Sequence, residues 1–328
     1  MIITKTPFRI SFCGGGSDIA AFYRNYGGCV LNTSINKYMY MSIHPYFHKN
    51  TTVLKYSKTE IVDDIKSIEH RILNCVLNKH NIRGVEITST ADIPAGTGLG
   101  SSSSFTVGLL NTVNAYKGKL ISKPMLAEMA CEIEIDLLRA PIGKQDQYAA
   151  AIGGLNFICF NVNDSVSVTP LLLSKQITDE LQENLMMFYT SEVRNTDIIL
   201  AEQIENLTKK DNIKNMQRIC RLTELMKNEL EKGDLSSFGS ILNESWQLKK
   251  TLANGISSHV LDNIYSTAMK NGAKGGKLLG AGGAGFFLFY CEKIMQDKLR
   301  RALNLRELSF RFENDGTSII YIGDKYWD

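Results

Sequence analysis

The chain of 328 residues is poor in the features that mark several large protein classes. It has no apolar run approaching the roughly 18 residues that a membrane-spanning helix needs. Charge of one sign is in short supply: 37 Lys and Arg against 34 Asp and Glu leave a net charge of +3, too small to argue for nucleic acid or an anionic membrane surface as a partner. No Cys-x-x-Cys pair occurs. The seven cysteines (13, 29, 75, 131, 159, 220 and 291) are odd in number and widely spaced, which argues for reduced thiols in a cytoplasm and against a disulfide framework or a zinc site. Cys13 reads as a small packing residue. The five histidines form no constellation: His44 and His48 share a four-residue spacing, but no carboxylate or cysteine accompanies them. There is no internal repeat, low-complexity tract or disordered tail. The segment Met1 to Arg9 lacks a signal-peptide layout and reads as a first strand.

What is present is an ordinary globular composition, 44% hydrophobic, in a chain long enough for two domains. The pattern predicts strands over Ile2 to Phe12, Cys29 to Asn36, Tyr38 to His44, Val85 to Ala91 and Leu155 to Val162, with helices over Ile61 to Leu77, Phe105 to Tyr116 and Pro124 to Leu138. Beyond about residue 165 the texture changes to long amphipathic segments near 196–209, 212–232, 234–252 and 258–271. A buried strand precedes them at Leu185 to Tyr189. Strand-like Phe286 to Tyr290, a helix near 292–303 and strands near 307–313 and 317–322 follow. The expected division is therefore 1–165 and 166–328.

Three glycine-rich loops carry the chemistry. The central one is Ile93-Pro-Ala-Gly-Thr-Gly-Leu-Gly-Ser-Ser-Ser-Ser104. Glycine lets the backbone turn tightly and bring its N–H groups close to a ligand. A Gly/Ser loop that feeds a helix aims orphan N–H donors and the positive end of the macrodipole at one point, so phosphate is the natural guest. Pro94, Gly96, Thr97, Gly98, Leu99, Gly100, Ser101, Ser102 and Ser103 are the candidate phosphate-binding residues. A flexible linker is the poorer reading, because the loop lies between a strand and a helix.

The segment Gly272 to Phe287, the third loop in chain order, holds another set of glycines. Gly280-Ala-Gly-Gly-Ala-Gly285 formally matches a dinucleotide fingerprint, but that fingerprint needs a strand before it and a helix after it. Here a helix is expected before and a strand after, so the reading is rejected. The N-terminal loop, Cys13-Gly-Gly-Gly-Ser-Asp18, breaks the first strand. Ser17 and Asp18 either cap a helix beginning near Ile19 or accept hydrogen bonds from the hydroxyls of a polyol. Between Glu132 and Ala149 a helix must end near Arg139, because Pro141 and Gly143 break it. Lys144, Gln145, Asp146 and Gln147 follow. A carboxylate beside a lysine there suits acid/base or electrostatic work; from spacing alone an ordinary surface ion pair accounts for it better.

Taken together and in this order, these elements resemble the GHMP kinases, the superfamily of galactokinase, homoserine, mevalonate and phosphomevalonate kinases. Pro94 to Ser102 is similar to the family's Pro-x-x-x-Gly-Leu-Gly-Ser-Ser phosphate loop. Within the superfamily, Thr6 to Gly16 (Thr-Pro-Phe-Arg-Ile-Ser-Phe, then Gly-Gly-Gly), Pro141 to Gln147 and Gly275 to Gly283 are most like the D-glycero-D-manno-heptose 7-phosphate kinases. The resemblance implies an α+β chain, with a ribosomal protein S5 domain 2-like N-terminal domain, a ferredoxin-like C-terminal domain and an active site between them. It implies ATP and Mg²⁺. By that likeness the central loop wraps the phosphates, Ser102 and Glu134 hold the metal (with Glu132 as a competing carboxylate), and Asp146 is the catalytic aspartate. Arg9 and Lys144 stand near the transferring phosphate. Gly14, Gly15, Gly16, Ser17 and Asp18 face the sugar, and Gly282 and Gly283 lie in the loop that closes the site. The chain departs from galactokinase where Gly15-Gly-Ser-Asp18 replaces the run that grips galactose, which points to another sugar.

The activity so implied is transfer of a phosphoryl group from ATP to the anomeric hydroxyl of D-glycero-D-manno-heptose 7-phosphate, for nucleotide-activated heptose and bacterial surface polysaccharide. A kinase of another sugar, such as L-fucose, and a non-catalytic sugar and ATP sensor are the alternatives. A substrate with a distal phosphate needs a second anion site. Arginine is the preferred forked donor for phosphate, which makes Arg194 the candidate, with Lys274 and Lys277 as rivals. The expected partners are a sugar phosphate and ATP, in the cytoplasm, with room for a homo-oligomer.

Overall fold

A computed structural model describes residues 1–190 and 196–323. Arg194 lies outside them. The first strand, Ile2–Cys13, is almost wholly buried and pairs antiparallel with Gly28–Pro45. The second strand is a single strand of 18 residues, where the sequence pattern suggested two. The interruption at Lys37 is a register shift opposite Pro7 and Phe8: Pro7 has no N–H to give the ladder, so the pairing slips there without the chain turning. Gly28–Pro45 pairs in turn with Val85–Ala91, Leu155–Phe160 and the short strand Phe312–Glu313.

Helix Ser101–Tyr116 lies on this sheet and is buried nearly all round. Its polar residues pair inward, with Thr4 Oγ1 2.6 Å from Thr112 Oγ1 and Asn111 Nδ2 donating to Thr317 Oγ1 at 3.0 Å. Burying such groups is tolerable because they are hydrogen-bonded. Besides Phe312–Glu313, two more segments beyond residue 165 join this sheet: Val166–Pro170 pairs with Leu155–Phe160, and Ser318–Ile322 pairs with the first strand. The expected helix over Ile61 to Leu77 is a correction. Thr59–Val62 is a strand paired with Thr52–Lys55, and the helix is Arg71–His80. The Asp64 side chain accepts from Lys66 N and starts a single tight turn, so the helical periodicity spans two elements.

The second layer is antiparallel. Leu185–Tyr189 lies beside Phe286–Cys291, which lies beside Ala273–Leu278. Residues 306–308 complete the other edge, since Tyr189 N donates to Arg306 O and Leu308 N to Met187 O, each at 2.9 Å. In chain order the spatial arrangement is 4-1-3-2. The crossover between the first two strands carries helices Lys210–Glu231, Phe238–Lys250 and His259–Lys270, and Lys293–Leu303 follows the third strand. This is the ferredoxin-like β-α-β-β-α-β pattern. The strand Ala273–Leu278 falls where the sequence pattern suggested only loop. The dinucleotide reading still fails, because a strand and not a helix follows the glycines. Gly275 and Gly276 serve packing: a methyl on Gly275 would run into the Gly239 carbonyl of the helix above.

Candidate active site

The two layers meet at a cleft, and the first strand delivers Arg9 into it. Arg9 is 4% exposed. Its Nε and Nη2 each donate to one carboxylate oxygen of Asp146 at 2.7 Å, and its Nη1 donates to Gly98 O at 2.6 Å. Its backbone N–H donates to Leu99 O at 3.1 Å. One arginine therefore ties the first strand, the central loop and the helix Gln145–Ile152 together. The two-pronged geometry is the arrangement in which a guanidinium binds a carboxylate most strongly.

The central loop turns through Gly96, Gly98 and Gly100, all at positive φ. At Gly98 no side chain fits, because a methyl would meet the Leu279 carbonyl; Gly280 in turn packs its backbone on Gly98. The glycines of the central and third loops thus let two backbones touch. Helix Ser101–Tyr116 begins right after Gly100 with no side-chain cap, so its first N–H groups are free to meet a ligand. The cleft of about 460 Å³ at this point is lined by Gly96, Gly98, Gly100, Ser101, Ser102 and Ser103, with Arg9, Glu134 and Asp146 opposite. Thr97 instead turns its hydroxyl to Pro94 O at 3.0 Å, and Leu99 is buried in the core.

Glu134 sits in a π-helical turn, Glu132–Leu137, that follows helix Lys123–Cys131. Such turns recur at functional sites because they re-aim side chains out of helical register. Glu134 Oε1 accepts from Ser102 Oγ at 2.9 Å. Its Oε2 accepts from Ser103 Oγ at 2.8 Å and from Gln147 Nε2 at 2.6 Å. Burial pushes its carboxyl above the usual range, against the pull of those donors. Glu132 faces the other way and pairs with Lys79 at 2.6 Å. Among the described residues no three His, Cys, Asp or Glu side chains converge as a metal cage. A hydroxyl and one carboxylate beside the candidate phosphate loop are nevertheless the kind of oxygen ligands that suit Mg²⁺, which is held mostly by phosphates and one or two carboxylates.

A smaller cavity of about 70 Å³ adjoins the cleft and shares Arg9, Ile142, Asp146, Leu200, Gly280 and Ala281 with it. Asp18 lines it. Asp18 does not cap helix Ala20–Tyr26 through its side chain. Its Oδ1 accepts from Gly16 N at 2.9 Å and Gln145 Nε2 at 3.3 Å, and its Oδ2 from Gln145 N at 3.1 Å. Burial raises its carboxyl pKa.

Several candidates from the sequence stand elsewhere. Ser17 is fully buried and exchanges hydrogen bonds with Cys29, donating to Cys29 O at 2.9 Å and accepting from Cys29 N at 3.0 Å, so it holds the loop and faces no ligand. Gly14 packs on the same carbonyl. Gly15 sits over Gln145 and Ser11, and Gly16 lines the small cavity. Lys144 does not reach Asp146. Its Nζ donates to Asp164 O at 3.1 Å and lies 5.1 Å from the centre of the Tyr23 ring. Two residues apart at a helix start, Lys144 and Asp146 point to opposite sides. Gly282 and Gly283 pack on the backbone of Ile256, and Gly280 and Ala281 line the cleft in their place. Lys274 lies at the surface near Glu292, and Lys277 is buried near Lys249, where desolvation drives its pKa well below the ordinary lysine value.

The structure also adds residues that no local pattern marked. His70 and Arg71 open helix Arg71–His80 and line the cleft. A neighbouring hollow of about 590 Å³ shares His70, Ile72, Gly96, Ser101 and Ser102 with it and is walled by Met39, Tyr56, Ile93 and Phe105. This is an apolar annex beside the central loop, of a size for a nucleoside. Lys249 and Gln203, from helices of the second half, reach the small cavity.

The model of the GHMP kinase N-terminal domain matches residues 67–154, and that of the GHMP kinase C-terminal domain matches residues 226–311. The chain is 31% identical to the D-glycero-alpha-D-manno-heptose 7-phosphate kinase of Campylobacter jejuni, over 96% of this chain and 97% of that one. It is 24% identical to the galactokinase of Pyrococcus furiosus, over 95% and 94% respectively. The solved structure of a D-glycero-D-manno-heptose 1-phosphate kinase from Bacteriodes thetaiotaomicron superposes with a TM-score of 0.81 at 28% identity, covering 99% of this chain and 100% of that one. With the glycine-rich central loop, the fold and the cleft in place, these likenesses establish that the chain belongs to the GHMP kinase family of ATP-dependent phosphotransferases.

Proposed function

We propose that this kinase transfers the terminal phosphoryl group of ATP to the C1 hydroxyl of D-glycero-D-manno-heptose 7-phosphate, giving the 1,7-bisphosphate and ADP, as a step toward nucleotide-activated heptose for a surface polysaccharide. The observation that carries the catalytic part is the position of Asp146, clamped by Arg9 at the wall shared by the cleft and the small cavity. The heptose phosphate is supported by the 31% identity to a kinase of that name.

Phosphoryl transfer passes through a loose transition state, so positioning and charge neutralisation do most of the work. In this reading the backbone N–H groups of 97–102 take the charge that spreads over the transferring group. Ser102 and Glu134 would hold Mg²⁺, which would supply further neutralisation of the phosphate oxygens. Asp146 accepts a hydrogen bond from the C1 hydroxyl and takes its proton as the oxygen bonds to phosphorus and the bond to ADP breaks. An anomeric hydroxyl is more acidic than an ordinary alcohol, so a carboxylate suffices as base. The hollow beside Phe105 and Tyr56 receives the nucleoside. Arg9 spends two of its donor atoms on Asp146 and so fixes the base more than it grips phosphate.

The test is ADP release with ATP and Mg²⁺ across heptose 7-phosphate, unphosphorylated heptose, mannose, L-fucose, galactose and mevalonate. Strong preference for heptose 7-phosphate supports the assignment. Turnover of an unphosphorylated sugar alone keeps the kinase and rejects the substrate.

A further inference from the structure

The small cavity behind Asp146 has two walls from different parts of the chain. One is the N-terminal glycine loop with Asp18; the other is built by helices Thr196–Asn206 and Phe238–Lys250, which contribute Gln203 and Lys249. Lys249 is 7% exposed, and its Nζ donates to Gly280 O at 2.7 Å. An ammonium has three donors, so more remain. Gln203 is 1% exposed, and its Nε2 has no hydrogen-bond partner among the described residues. Ser11 Oγ and Gln145 Oε1, which both lie near Gly15, are likewise without one. Buried polar atoms left unpaired mark the place where a ligand or an ordered water belongs.

The mixture of groups identifies the chemistry. Lys249 and Gln203 donate, whereas Asp18 and Asp146 accept. A hydroxyl does both and satisfies each wall. A phosphate only accepts, and it would stand against the carboxylate of Asp18, since Arg9, which also lines the cavity, already balances Asp146. The volume of about 70 Å³ has room for a few hydroxyl-sized groups. We propose that Lys249 and Gln203 read the acceptor: each donates to a hydroxyl whose own proton goes to Asp18, so the cavity selects the polyol edge of the sugar and the distal phosphate lies outside it. This rests on the sugar kinase reading above. Lys249 suits the task because burial lowers its pKa to about 8, with Asp18 holding it up, so it carries a charge near neutrality that a substrate hydroxyl can share.

The experiment compares wild type with Lys249→Met and Gln203→Met, both unbranched replacements. KM is measured for ATP and for D-glycero-D-manno-heptose 7-phosphate, and KM or a competitive inhibition constant for unphosphorylated heptose. The expected result for Lys249→Met is a loss of about tenfold or more, the range for a hydrogen bond to a charged group, by the same factor for both heptoses, with KM for ATP within twofold. Gln203→Met shows the same pattern at smaller size. A loss confined to the phosphorylated heptose overturns the proposal, since Lys249 then reads phosphate. A change in KM for ATP with acceptor constants unmoved also overturns it, since Lys249 then only holds Gly280 over the phosphate loop. If Lys249→Met fails to fold, Gln203→Met, which removes an uncharged amide, carries the same test. A wild type that uses another polyol in place of heptose rejects the substrate assignment alone, and the variants are judged by the same criteria on that polyol. A wild type that turns over no polyol overturns both.

Discussion

Arg9 and Asp146 stand 137 positions apart in the chain and meet through two parallel hydrogen bonds of 2.7 Å. The pair joins the first strand to the helix that carries the proposed base. Asp146→Asn keeps the shape and loses the proton acceptor, so turnover should fall by about 10²- to 10⁴-fold while ATP affinity stays within a few-fold. Arg9→Lys replaces a planar fork with a point charge and should lower kcat at least about tenfold. Near-wild-type turnover of Asp146→Asn, in a steady-state ADP assay, would remove that residue from the mechanism.

Lys144 provides the contrast. Its amino group lies on Asp164 and Tyr23, away from the cleft. Lys144→Met should therefore leave kcat and both KM values within about twofold, and cost at most about 1 kcal/mol of stability, as for other exposed ion pairs. A collapse of kcat in this variant would place the lysine back at the phosphoryl group.

Glu134 couples stability to pH. Burial raises its pKa above the ordinary value of 4.5, so the folded chain binds this proton more tightly than the unfolded chain does. Its contribution to stability is fully present below pH 4.5 and is lost as pH rises through the raised value. Glu134→Gln should thus gain melting temperature relative to wild type as pH climbs above 4.5, while the Mg²⁺ concentration needed for half-maximal turnover rises about tenfold or more, on the scale of one lost ligand interaction. A constant difference in melting temperature between pH 4 and 8 would contradict the first half.

Two glycines of the central loop differ in what surrounds them. Both have positive φ, 76° at Gly96 and 82° at Gly98, but only Gly98 faces a backbone carbonyl, and Gly96 faces open space. Gly96→Ala should cost about 1–2 kcal/mol, the strain of a left-handed alanine. Gly98→Ala adds a clash with Leu279 and should cost more in a denaturant titration and weaken ATP binding as well. Equal losses at the two positions would refute the close approach of the loops.

Lys249 predicts a pH dependence for the acceptor. The groups around it are Asp18 and Asp146, which favour its charge, Arg9 and Lys277, which oppose it, and the buried thiol of Cys13. Its pKa of about 8 lies below the ordinary 10.5, so its charge costs the folded state stability below pH 8, and that cost fades between about 8 and 10.5. The acceptor KM should stay flat below pH 8 and rise above it, and the rise should be missing in Lys249→Met. Profiles of KM against pH from 6.5 to 9.5 decide it.

Local sequence determined the pieces of the site that depend on backbone chemistry. Gly96, Gly98 and Gly100 had to form a loop that feeds a helix, because only glycine takes positive φ without strain and because the apolar run from Phe105 continues as helix. The helix break at Pro141 placed Asp146 at a fresh helix start for the same kind of reason. Alternation and periodicity marked most strands and the long helices of the second half. Where two short elements shared one rhythm, as over Ile61 to Leu77, the rhythm misled.

Which way a side chain points at a junction was decided by tertiary structure alone. Lys144 and Asp146 are neighbours in sequence, yet the first pitch of a helix sends them to opposite faces. Glu132 and Glu134 are equivalent by composition, and the π-helical turn gives one to Lys79 and the other to Ser102. The third-loop glycines were evident in sequence, but only packing shows that Gly280 serves Gly98 while Gly282 serves Ile256. Lys249 and Gln203 carry no local signature, because a lysine or glutamine on an amphipathic helix is ordinarily solvated. They reach the small cavity only because the second half of the chain folds back over the first, and the desolvation that follows is what gives Lys249 its altered chemistry.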